Sequence, residues 1–262
     1  MATYLDRILA AHRAAASSDD RDRATLERRA SDMAPTRGFR AALAAVDGTV
    51  DGIGVIAEVK RRSPSKGDLF ADLDPATLAA DYAAGGATCL SVLTDSDHFG
   101  GSVSDLQMAR AACDLPVLRK DFTVSALDVL DARLMGADGV LLIAAALDDA
   151  ELREFHRLAV DIGLDVLVEI HDERELDRAL AVGATLIGVN QRDLVTFQVD
   201  HERAVRMAGV IPDAAVPVAE SGVRGPDDAR SLAQAGYRAV LVGESLVTSG
   251  DPRRAVAALR SR

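Results

Sequence analysis

Lys60, Lys66 and Lys120 are the three lysines among the 30 cationic side chains of this chain, and each sits just after, or at the end of, a short apolar run. Elsewhere a positive charge is supplied by arginine. A lysine can give up its proton at accessible pH and so act as a general acid or base, which a guanidinium cannot. An alanine- and arginine-rich composition accounts for the scarcity of lysine but not for these positions. The polar ends of other apolar runs hold Glu58, Glu169, Asn190, Arg192, Glu220 and Ser221. Glu58, Glu169, Lys60 and Lys120 are expected to converge on one cavity, where ammonium and carboxylate groups could carry protons to and from a carbonyl. A buried ion-pair network would use the same residue types, but charges gathered from several strand ends favour catalysis.

Ser221-Gly222 and Gly243-Glu244-Ser245 follow the last two apolar runs. Glycine there lets backbone N–H groups approach an anion, and a phosphate is expected between the two turns. Phe99 and Phe122 stand in loops of a chain with six Phe, three Tyr and no Trp, and are expected to touch a substrate ring. Leu142, in the fourth run, is counted with the substrate contacts. His98 and His171 are read as solvated loop residues. The five histidines show no ligand spacing, so no metal site is expected. Cys89 and Cys113 form no ligand or redox motif and read as buried thiols of a reducing compartment.

The elements that would hold these residues follow from periodicity. Eight apolar runs, Val55–Val59, Cys89–Leu93, Pro116–Leu118, Gly139–Ile143, Asp165–Glu169, Leu186–Asn190, Val216–Ala219 and Ala239–Val242, recur with a segment of helical period after each. This is the pattern of parallel β/α units, and eight of them predict an α/β fold, a closed (β/α)8 TIM barrel, rather than an open doubly wound sheet. The active site of such a barrel lies at the C-terminal ends of its strands. Asp74-Pro75 and Gly225-Pro226 start helices, while Gly85-Gly86, Gly136 and Gly183 end them. Residues 2–45 are helical in period, with a stripe of Tyr4, Leu5, Ile8 and Leu9 and a break at Pro35. One domain is therefore predicted over 1–262, a helical extension over 1–50 and the barrel over 53–262.

A formal net charge of −11 without long basic runs excludes a nucleic-acid footprint, yet leaves room for a locally positive site that takes a small anion. No apolar stretch is long enough for a bilayer and the first residues lack a secretory pattern, so no membrane partner and a cytoplasmic location are expected.

Ile56-Ala57-Glu58-Val59-Lys60-Arg61-Arg62-Ser63-Pro64-Ser65-Lys66-Gly67 closely resembles the first-strand signature of the indole-3-glycerol phosphate synthase family of tryptophan biosynthesis. Leu118-Arg119-Lys120-Asp121-Phe122, Leu167-Val168-Glu169-Ile170-His171, Gly188-Val189-Asn190-Gln191-Arg192-Asp193-Leu194 and Ala219-Glu220-Ser221-Gly222 are similar to further family segments in the same order. The resemblance spans essentially the whole chain. It implies a carboxy-lyase acting on a phosphorylated small molecule, 1-(2-carboxyphenylamino)-1-deoxyribulose 5-phosphate. Ring closure and loss of CO2 and water would give indole-3-glycerol phosphate with no metal or organic cofactor. By motif, Lys120 would be the general acid, its pKa lowered by a neighbouring lysine. Lys60 would hold the substrate carboxylate, Glu169 would move protons in the dehydration, and Glu58 and Asn190 would position these groups. Arg192 would support the ring end, and Ser63, Ser221, Gly222, Gly243 and, through its backbone, Glu244 would form the phosphate site. Thr123-Val124-Ser125-Ala126-Leu127 replaces the Asp-Pro-Tyr-like turn of many members, leaving the start of the third barrel helix open. A monomer is expected, and association with other pathway enzymes is left open. The residues alone leave other readings: a phosphoribosylanthranilate isomerase, a lysine-dependent aldolase, or a non-catalytic barrel that binds a phosphorylated metabolite.

Overall fold

The computed structural model describes residues 3–47, 52–63, 66–70, 72–193 and 198–261. Pro64, Ser65 and Leu194 of the quoted segments, and parts of the expected spans 1–50 and 53–262, lie outside the described residues. Three helices come first: α1 (Tyr4–Ser17), α2 (Arg23–Ser31) and α3 (Phe39–Ala44). Eight strands then close into a barrel: β1 (Gly54–Val59), β2 (Cys89–Leu93), β3 (Val117–Lys120), β4 (Gly139–Ile143), β5 (Asp165–Ile170), β6 (Leu186–Asn190), β7 (Val216–Glu220) and β8 (Ala239–Val242). Each strand pairs in parallel with its sequence neighbours, and β1 also pairs with β8, so the barrel has no open edge. The fold is a (β/α)8 TIM barrel.

Helices α4 (Pro75–Ala84), α5 (Ser96–Phe99), α6 (Val103–Ala112), α7 (Ala126–Leu134), α8 (Asp149–Asp161), α9 (Glu173–Ala181), α10 (His201–Ala208), α11 (Pro226–Ala235), α12 (Glu244–Val247) and α13 (Pro252–Arg260) follow β1 onward. The expected starts hold: Asp74 caps α4 through Thr77 N–H, and Pro226 opens α11. At α7 the departure from the family turn is resolved by a capping box, in which Ser125 and Asp128 each accept the other's backbone N–H.

Side chains alternate between the two faces of each strand. Ile56, Cys89, Leu118, Leu141, Ile143, Leu167, Leu186, Val218 and Leu241 fill the barrel interior. Val55, Ala57, Val140, Leu142, Val166 and Val168 face the helical layer. The floor of the barrel is closed by α3, whose Phe39 and Leu43 join the interior cluster and are fully buried. Gly38 cannot cap that helix with a side chain, and Asp165, at the base of β5, instead accepts the Arg40 N–H at 2.8 Å. At the same floor Asp138 accepts the Arg37 N–H at 2.7 Å. Hence α3 is tied to the barrel by both packing and hydrogen bonds.

Four strands differ from the expected runs, β1 by starting one residue earlier, at Gly54. β3 begins at Val117, since Pro116 has no N–H for the ladder, and it continues through Arg119 to Lys120. β5 and β7 each run one residue further, through Ile170 and Glu220. The charged strand ends are thereby part of the sheet and share its rigidity. The short helix α5, built on the N-cap Asp95, has no counterpart in the periodicity.

Candidate active site

Going up the barrel interior, the inward positions change from aliphatic to charged. Ile56 is followed on its face by Glu58 and Lys60, Leu118 by Lys120, Leu167 by Glu169, Leu186 by Gly188 and Asn190, and Val218 by Glu220. These ends line a cavity of about 620 Å3, together with Lys66, Asp95, Phe99, Phe122, Leu141, Ile143, Arg192, Ser221, Gly222, Gly243 and Glu244. Helix α1 roofs one side with Tyr4, Leu5 and Ile8.

Lys60 Nζ donates to Glu58 Oε1 at 2.5 Å. Lys120 Nζ lies 3.4 Å from Glu169 Oε2 and 3.9 Å from Glu220 Oε2. Asn190 Nδ2 donates to the other Glu169 oxygen at 3.0 Å, while Asn190 Oδ1 accepts the Arg192 N–H, also at 3.0 Å. Glu169 is thus fixed from two sides. The third carboxylate, Glu220, is 2 % exposed and its Oε1 has no hydrogen-bond partner. Gly188 on the adjoining strand makes room for it, because a Cβ there would collide with Glu220 Oε1. Gly243 serves Glu58 in the same way. Its side-chain space belongs to the Glu58–Lys60 pair as well as to the expected anion.

Burial by itself would lower the Lys120 ammonium, but the carboxylates of Glu169, Glu220 and Glu58 outweigh it and hold the pKa above its ordinary value. The expected lowering by a second lysine is therefore corrected: Lys60 is engaged by Glu58, and Lys120 sits among carboxylates. Burial raises Glu169, yet Lys120, His171 and Asn190 bring it below the ordinary carboxyl value. Glu220 goes the other way, pushed up to about 8 by burial and by the charge of Glu169. At neutral pH it keeps its proton, which leaves Glu58 and Glu169 to balance Lys60 and Lys120. Sequence reasoning gathered Glu220 with the strand ends but gave it no role, since only the fold reveals its lack of a cation of its own.

Ser221 has φ of 64°, the single positive φ outside glycine among the described residues, and Gly222 follows at 75°. Backbone strain of this kind collects at binding and catalytic sites. Gln191 Nε2 holds the turn by donating to the Ser221 carbonyl at 2.8 Å. Across the gap, Gly243 caps the four-residue α12, and Lys66 Nζ reaches to 3.7 Å from Glu244. Phe99 and Phe122 lie with ring centroids 6.2 Å apart at the opposite end, under α1.

Two expected residues lie off the cavity wall. Leu142 points into the helical layer, and its neighbours Leu141 and Ile143 provide the wall instead. Ser63 is buried in a two-residue antiparallel ladder with Gly67, its hydroxyl unpartnered. The histidines read as solvated are also engaged. His171 Nδ1 sits 3.1 Å from Glu175 with Nε2 3.8 Å from Glu169, and His98 meets Asp95.

Comparison with known proteins agrees with this geometry. The family model described as indole-3-glycerol phosphate synthase matches residues 5–259. An indole-3-glycerol phosphate synthase of Nocardioides sp. is 56% identical over 226 residues, covering 83% of this chain and 87% of the relative. One from Paenarthrobacter aurescens is 50% identical over 233 residues, covering 89% of this chain and 86% of the relative. Among solved structures, thiamine phosphate pyrophosphorylase from Pyrococcus furiosus superposes with a TM-score of 0.61 at 18% identity, over 79% of this chain and 94% of that one, a likeness of fold alone. With the family model spanning the N-terminal roof, all eight strands and the charged strand ends, the chain belongs to the indole-3-glycerol phosphate synthase family.

Proposed function

We propose that the protein catalyses the family reaction, converting 1-(2-carboxyphenylamino)-1-deoxyribulose 5-phosphate to indole-3-glycerol phosphate, CO2 and water. The observation that carries this reading is Lys120 held between Glu169 and Glu220 at the centre of the cavity. The aromatic carbon bearing the carboxylate attacks the ketose carbonyl, and Lys120 delivers a proton to the carbonyl oxygen as it becomes a hydroxyl. Its raised pKa keeps it charged before the reaction, so the donor is loaded at every physiological pH. Lys60, oriented by Glu58, pairs with the substrate carboxylate until that group leaves as CO2. Loss of CO2 restores the benzene ring. Dehydration then removes the hydroxyl together with a proton from the neighbouring carbon, forming the indole double bond, with Glu169 as the proton carrier and Asn190 fixing its orientation. Neutral Glu220 avoids adding a third negative charge beside the incoming anion.

Phe99 and Phe122 border the ring end, with Arg192 supporting it. Backbone donors of Ser221-Gly222 and Gly243-Glu244 take the phosphate. Ser63, which is buried off the cavity wall, is given no direct contact with the phosphate. The reaction as read requires neither metal nor organic cofactor, because two ammonium groups supply the electrophile and the charge balance. The residues assigned to the reaction all lie within one barrel, so a monomer is sufficient for the chemistry. Free Cys89 and Cys113 and a metabolite substrate support a cytoplasmic setting. Among the described residues no helix is long and apolar enough to cross a membrane.

The test is direct. Purified protein incubated with the carboxyphenylamino sugar phosphate should develop the fluorescence of an indole with release of CO2. Substrate recovered unchanged would overturn the assignment.

A further inference from the structure

A second constellation sits at the rim of the cavity and has no part in the reaction above. His12 on α1, with Asp95 and His98 in the turn after β2, offer ligand atoms that all lie within 4.8 Å of one another. His12 Nε2 is 3.0 Å and His98 Nδ1 3.1 Å from the same oxygen, Asp95 Oδ2. The other oxygen, Oδ1, accepts the backbone N–H groups of His98 and Phe99 at 2.6 and 3.1 Å. The carboxylate is therefore locked with Oδ2 facing the two imidazoles. We propose that His12, Asp95 and His98 form a binding site for a zinc-class divalent ion that fastens α1 over the ring end of the cavity.

Two imidazole nitrogens and one carboxylate oxygen suit zinc and its transition-metal neighbours, whereas magnesium and calcium select oxygen alone. Around a tetrahedral ion with bonds of about 2.0–2.2 Å, donor atoms stand about 3.3–3.6 Å apart. The two nitrogens would withdraw from Oδ2 by a few tenths of an ångström, and their own separation, within 4.8 Å, would close to the spacing of that tetrahedron. The His12 and His98 side chains are 23% and 24% exposed, which leaves the ion a route from solvent. Three protein ligands leave the fourth position for water, the arrangement of an open, exchangeable site. The ring of Phe122, on the cavity wall, lies 5.3 Å from that of His12, so the ion would bind where roof and wall meet.

The spacing of the histidines along the chain gives no sign of this site, because one ligand lies in the extension and two in a barrel loop. The experiment titrates Zn2+ against a chromophoric chelator, using wild type, His12→Gln and His98→Gln, with Mg2+ as control. Both glutamines can still hydrogen-bond Asp95, so a purely hydrogen-bonded cluster predicts no change. The proposal predicts one Zn2+ per chain, and a loss of affinity in each variant at least as large as the roughly 10–100-fold typical of losing an outer-sphere partner. Bound Zn2+ should also slow trypsin cleavage after Arg7 and Arg13 in wild type but in neither variant. Absence of Zn2+ binding, binding that both variants retain, or cleavage that Zn2+ does not slow would overturn it.

Discussion

A buried ammonium beside ionised carboxylates holds its proton, and Lys120, close to Glu169 and Glu58, is such a group. Lys120→Arg keeps the charge but replaces the dissociable proton with one that a guanidinium does not release. Turnover should fall by roughly a hundredfold or more while the circular dichroism spectrum is unchanged. Turnover near wild type would remove Lys120 from the acid role. Glu220 makes a separate prediction through stability. Its native pKa of about 8 lies above the ordinary carboxyl value of 4.5, so between those values the native state keeps a proton that the unfolded chain has lost. Stability contributed by this group is present below the unfolded value and declines as pH rises toward 8. Glu220→Gln cannot ionise, so its melting temperature relative to wild type should be higher at pH 8 than at pH 5, by at least about 2 °C, equivalent to about 1 kcal/mol. An equal difference at the two pH values would contradict the raised pKa. At this scale the sequence revealed the parity of β1, where Glu58 and Lys60 mark the inward face. It could not do so for β4, since Gly139–Ile143 is wholly apolar and no charge distinguishes Leu142 from Leu141 and Ile143. The shifted pKa values were equally hidden, because they depend on distances across strands far apart in sequence.

Helix signals were legible wherever a residue acts on its own backbone: Asp74-Pro75, Gly225-Pro226 and the glycine stops all mark real boundaries. Strand ends were less legible, because a run that ends in charge looks finished although the ladder continues through Lys120 and Glu220. Docking of the extension was not legible at all, since the apolar stripe of α1 does not say which loops it will cover. The floor helix α3 offers the clearest test of docking. Phe39 is fully buried at the base of the barrel, against Gly139 and the interior cluster. Phe39→Ala should cost about 3–5 kcal/mol of stability, read from the denaturant midpoint. Activity of the folded fraction should persist, because the cavity lies at the opposite ends of the strands. A loss below about 1 kcal/mol would mean that the barrel floor does not depend on this plug.

The whole molecule carries a net charge of −11, and its cavity is lined by six acidic side chains against five lysines and arginines, so its long-range field does not draw in a doubly anionic substrate. Recognition has to be local. The closed parallel sheet fixes two ends of one cavity, with Phe99, Phe122 and the α1 roof at one and the turns after β7 and β8 at the other. A substrate anchored by its phosphate at the second end is placed with its carbonyl at Lys120 by the rigidity of the barrel. Binding energy from this remote group is then used to orient the reacting atoms, and its removal should lower turnover as well as affinity. We predict that an analogue lacking the phosphate loses several kcal/mol in kcat/KM, since charge-assisted contacts vanish and the N–H donors that made them are left unpaired. Inorganic phosphate should compete with the true substrate and leave the analogue unaffected. If these glycines only shape turns, the analogue should react as well as the substrate and phosphate should not compete. That result would leave the barrel and its lysines in place and remove the anchor from the seventh and eighth units.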